Sequence, residues 1–152
     1  MKYVLSGCLA LLSVGAAQAG GLLVDMGGEA PCFGRVYDAA HLASHSEQRV
    51  QSIWLTDVDD STRREEYRLQ YTFRDGEVYE SYVYCDRQGD GMDCGVEGDG
   101  GSFTLSAQGQ AIRLEVGEYL SIEGATDTPD LAQSDDRVFL LYPVERNCPV
   151  QG

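Results

Sequence analysis

Lysine is almost missing from this 152-residue chain: Lys2 is the only one, so all other fixed positive charge comes from ten arginines. Against them stand 25 Asp and Glu, every one after residue 19, which leaves residues 20–152 with a net charge of about −15. A field of that sign repels nucleic acid and anionic membrane surfaces and attracts basic proteins or cations. Past the first nineteen residues there is no apolar run long enough to span a bilayer, so no membrane insertion is expected after processing. The chain also lacks a Gly-x-Ser-x-Gly elbow, a phosphate loop and a dinucleotide fingerprint. No nucleophile–base arrangement stands out, and neither enzymatic activity nor a cofactor is expected.

What is present begins with an export signature. Met1-Lys2-Tyr3 precedes an apolar run from Val4 to Ala17, and Ala17-Gln18-Ala19 supplies small residues for cleavage before Gly20. Residues 1–19 therefore read as a signal peptide, 20–31 as a Gly-rich leader, and 32–152 as one domain in the periplasm or outside the cell. A competing reading sits in Leu5-Ser6-Gly7-Cys8, whose residue types precede lipidated cysteines, although the apolar run continues past Cys8. Four cysteines follow the signal: Cys32, Cys85, Cys94 and Cys148. An even number in an exported chain indicates two disulfides, with three pairings open. Cys85–Cys94 with Cys32–Cys148 is preferred, since the first flanks a turn and the second ties the domain's ends. Each is worth about 2 to 4 kcal/mol.

The pattern along the chain is mostly β. Asp38 to Ser46 is the one helix candidate, with Asp38 as its cap. Val50 to Leu55 reads as a strand, and Tyr67, Leu69, Tyr71 and Phe73 alternate with polar residues at the period of a half-buried strand. Asp75-Gly76 is a hairpin signal leading to Glu77–Cys85. Asp86 to Asp93 reads as a turn region. Short strands are expected at Cys94–Glu97 and Ser102–Ala107, a pair at Gln110–Val116 and Tyr119–Glu123 broken by Gly117, and a closing strand at Arg137–Val144. Gly124 to Asp136 is a long acidic connection without periodicity. The expected fold is a small antiparallel β-sandwich or barrel with one short N-terminal helix.

Three constellations could bind something. Asp86, Gln88, Asp90 and Glu97 fall at positions one, three, five and twelve of a segment with Gly91 at six, the spacing of a twelve-residue Ca²⁺ loop. Asp93 at position eight, strand-like flanks and a Cys85–Cys94 bridge favour a stapled hairpin there instead. His41 and His45 stand four residues apart on the helix candidate and could share a transition metal with Asp38 or Glu47, against the simpler reading of two surface histidines. Tyr67, Tyr71, Tyr79, Tyr82 and Tyr84 crowd two neighbouring strands. Tyr79 and Tyr82 must face opposite ways, so part of the set looks outward.

In size, acidity and cysteine use the chain is similar to periplasmic inhibitors of basic hydrolases such as lysozyme. That resemblance implies a non-enzymatic binding module of the bacterial cell envelope that engages or inhibits a basic protein; the residues that the sequence itself offers for contact are the outward tyrosines (Tyr82, Tyr84) and the loop acids (Asp127, Asp130, Asp135, Asp136). The alternative is a divalent metal-binding protein that uses the 86–97 loop or the histidine pair.

Overall fold

The computed structural model describes residues 32–58, 65–122, 129–145 and 148–149. The expected signal segment, the leader, Cys8 and Asp127 lie outside them. Eight strands follow one another around a closed antiparallel barrel: β1 Cys32–Val36, β2 Val50–Asp57, β3 Glu65–Phe73, β4 Val78–Gln88, β5 Gly91–Val96, β6 Gly101–Gln108, β7 Ala111–Leu120 and β8 Val138–Val144. Each strand pairs with its sequence neighbours, and β1 closes on β8 through Cys32↔Val144 and Gly34↔Tyr142. Of the two architectures that the strand count allowed, the chain takes the barrel, which leaves no free sheet edge.

Period-two alternation builds the interior. Ile53 and Leu55 of β2, Leu69 and Tyr71 of β3, and Leu105 of β6 point inward and are buried, while Trp54, Gln70 and Thr104 between them point out. Eight strands enclose a space just wide enough for side chains to fill. Tyr71, Phe73 and Tyr79 pack there with ring centroids 5.0–5.6 Å apart. Both expected disulfides form: Cys85–Cys94 staples β4 to β5, and Cys32–Cys148 ties the start of β1 to the chain beyond β8. They fit an oxidising, extracytoplasmic compartment.

The helix α1, Ala39–Ser44, starts where expected, because the Asp38 carboxylate accepts from the His41 amide at 2.8 Å. The Asp75-Gly76 turn joins β3 to β4, with Gly76 at φ 90°. Four expectations need correction. β1, at the start of the domain, is a strand that the sequence pattern does not name, because Gly34 interrupts any alternation; in the barrel the Trp54 ring of β2 lies where a side chain at 34 would be. The turn region Asp86–Asp93 is mostly strand, since β4 runs to Gln88 and β5 begins at Gly91. The pair broken at Gly117 is one strand: β7 passes straight through Gly117, whose missing side chain makes room for Ser102. Finally, the acidic connection is not featureless where it is described. Leu131–Gln133 forms a 3-10 turn that buries Leu131 completely against the core.

Candidate functional site

The barrel's interior is taken up by its own side chains, including Phe33, Ile53, Leu69, Phe103, Leu114 and Phe139. A concavity of about 560 Å³ lies instead on the outer wall, across β4, β5, β6 and β7. Its geometry follows from the ladder register. Tyr84 stands opposite Gly95, and Gly95 opposite Ser102; one step along, Asp86 stands opposite Asp93, and Asp93 opposite Thr104. Directly opposed residues of an antiparallel pair point to the same side with Cβ atoms about 4.5–5.5 Å apart. The outer surface here is therefore a tyrosine and two carboxylates around a residue with no side chain, with Ser102 and Thr104 hydroxyls on the far side and Gly117 beyond.

The register places Asp86 directly opposite Asp93, so two carboxylates share one patch of the outer wall. Glu115, opposite Thr104, is the third acid of the row. A hydrogen bond and ion pair from Arg113 hold its carboxyl below the ordinary range. Tyr82, also outward on β4 and 37% exposed, is committed elsewhere: the Arg68 guanidinium lies 5.2 Å from its ring centroid and donates to its hydroxyl at 3.0 Å.

The loop acids play other parts. Asp136 is 0% exposed and accepts from the amides of Arg49 (2.7 Å) and Val50 (3.1 Å) and from the Ser134 hydroxyl (2.8 Å), so its carboxylate faces the fold and not solvent. Asp130 caps the 3-10 turn, accepting from the amides of Leu120 (3.0 Å) and Ala132 (2.9 Å) and from Gln133 (3.0 Å). Burial works against ionisation of Asp130, but these bonds and the Arg137 charge outweigh it and hold the carboxyl below its usual range. Asp135 is exposed.

The Ca²⁺-loop residues do not converge. Asp86 and Gln88 lie on β4, Asp90 sits in the two-residue turn, and Glu97 follows the far end of β5, roughly 13 Å along the strand from Asp93 at about 3.3 Å per residue. The histidine rings stack at 4.1 Å, with His41 Nε2 on Gln48 Oε1 at 3.0 Å and His45 Nδ1 on the His41 carbonyl at 2.9 Å. Among the described residues no group of three or more His, Cys, Asp or Glu could hold a metal ion.

Of the phenols buried in the core, two are raised above the ordinary tyrosine range. Burial first, and then the Glu65 carboxylate that its hydroxyl meets, pushes Tyr67 upward. Burial likewise pushes Tyr71 up to about 12, partly offset by the Ile122 amide.

The structure thus joins Tyr84, expected as a protein contact, with Asp86, expected as a cation ligand, and adds Asp93, Gly95, Ser102, Thr104 and Gly117. The alternation of Asp93 and Gly95 with apolar Cys94 and Val96 is the sequence signal that puts those two positions on an outer face. A scan of protein-family models and searches of curated proteins and solved structures find no match to this chain.

Proposed function

We propose that this protein is an exported, acidic, non-enzymatic binding module of the bacterial cell envelope that engages a basic protein through the outer wall of β4–β7. The observation that carries this reading is the opposed pair Asp86 and Asp93 beside Tyr84 in the groove. Acidic groups gathered on one exposed wall attract a cationic partner, and an aromatic ring next to them adds contact area at little entropic cost. The charge of the chain, −14 over all 152 residues, steers such a partner from a distance.

Equilibrium binding of a basic lysozyme, as trial partner, to the mature protein tests the reading. Affinity should be highest at low ionic strength and fall as the screening length shrinks from about 30 Å at 0.01 M to about 8 Å at 0.15 M salt. A double variant, Asp86→Asn with Asp93→Asn, should lose most of the low-salt affinity. A panel of basic envelope proteins that fails to bind, or that binds without regard to salt and to this pair, overturns it.

A further inference from the structure

Glycine in the middle of a strand is costly, because it packs nothing and gives up more chain entropy than any other residue, about 0.5–1 kcal/mol relative to alanine. Most of the barrel's strand glycines have a packing reason. A Cβ at Gly117 would sit 2.6 Å from Ser102 Oγ and 2.9 Å from its carbonyl oxygen, and one at Gly91 would sit 2.5 Å from the Leu105 carbonyl oxygen. Gly95 has no such reason. It lies inside β5, its φ is not positive, and a Cβ built on it meets no atom within 4 Å. No neighbouring atom asks for glycine there, and the space that its missing side chain leaves is the floor of the groove. A glycine inside a strand goes with a bulge, a tight bend or the close approach of a ligand or another backbone, and the unbroken register of β4, β5 and β6 through Gly95 leaves out the bulge.

We propose that the groove receives an arginine side chain of the bound protein, with its guanidinium over Gly95. The inference rests on the reading of a basic partner and adds which group enters and where. The chemistry around Gly95 selects guanidinium over ammonium. Tyr84, directly across on β4, offers a ring against which a planar, weakly hydrated cation stacks. Asp86 and Asp93, one step along the ladder, present acceptors on the same face, and a rigid fork of five N–H donors can serve both carboxylates at once. The Ser102 and Thr104 hydroxyls close the other side. Lysine brings a compact, strongly hydrated charge that can meet the carboxylates but gains little from the ring.

Fluorescence anisotropy with two labelled, end-blocked pentapeptides, identical except for two arginines in one and two lysines in the other, reads the selectivity. The arginine peptide should bind the disulfide-bonded mature protein at least tenfold more tightly. Gly95→Val puts a good strand former where nothing obstructs it; it should fold with an equal or higher melting temperature and lose the arginine peptide by tenfold or more. Asp93→Asn should weaken the same peptide. Equal binding of both peptides, unchanged binding to Gly95→Val, no binding of the arginine peptide, or its displacement by millimolar Ca²⁺ acting as the better ligand each overturns the proposal. If lysozyme still binds Gly95→Val with its salt dependence intact, the groove assignment falls while the basic-partner reading stands. If wild type binds neither peptide nor any basic protein, both fall.

Discussion

Replacing Asp136 with alanine should destabilise the protein by about 2–5 kcal/mol while leaving encounter with a basic partner nearly unchanged. The magnitude follows from what the carboxylate holds. It bridges the start of β2, through the amides of Arg49 and Val50, to the turn before β8, through Ser134, joining positions 86 and 87 residues apart. Hydrogen bonds to a charged group contribute about 1.5–3 kcal/mol each, and a buried donor left without a partner costs about 1–3 kcal/mol. Val50 is wholly buried, so its amide has no water to turn to. Arg49 is exposed and can recover part of its loss, which places the total below the simple sum. Asp136→Asn keeps one acceptor oxygen and turns an NH₂ towards a donor, so it should fall between wild type and alanine. Asp135→Asn, at an exposed neighbour, should stay within about 0.5 kcal/mol. Urea unfolding with the disulfides intact measures all three, with the slope unchanged if only stability moves. A loss below about 1 kcal/mol for Asp136→Ala, or an on-rate effect as large as that of Asp135→Asn combined with other exposed acids, would refute the assignment of Asp136 as an internal clamp.

Other outcomes follow from the same contacts. Leu131→Ala empties a fully buried site under the 3-10 turn and should cost about 2–5 kcal/mol in thermal or urea unfolding. Asp130 is held below its usual range in the folded state, so its contribution is complete above the unfolded value near 3.9 and is lost as pH falls through the lower folded value. An acid-unfolding series should show that limb shrink in Asp130→Asn. Tyr71 is raised to about 12, so its contribution holds below pH 10 and is lost between about pH 10 and 12. Tyr71→Phe should flatten that part of an alkaline stability profile.

The parts of this fold that could be read in the sequence are those where one local rule decides. Tyr67 to Phe73 alternates, Asp75-Gly76 supplies the turn, and Asp38 caps a helix; each needs only its neighbours. The parts that were not legible depend on a distant partner. Gly34 becomes strand because Trp54 covers it from β2, and Gly117 stays in strand because Ser102 of β6 occupies its space. Asp130 and Asp136 read as free loop acids, yet backbone amides far along the chain claim their oxygens. In the candidate site the aromatic and acidic residues could be named, but not their meeting. Asp86 and Asp93 face each other only because β4 continues three residues past Cys85 into a tight turn at Gly89-Asp90. Emptiness above Gly95 has no signature in a one-dimensional string.

The most direct test of the account is a backbone amide chemical-shift map of the isotope-labelled mature protein as an unlabelled basic protein is added at low salt. Binding through the outer wall predicts that the largest changes cluster at Tyr84, Asp86, Asp93, Gly95, Ser102 and Thr104 and fade as salt is raised. Changes centred instead on the opposite wall, around Val36, Trp54 and Tyr142, or scattered over all acidic positions without a focus, would contradict it.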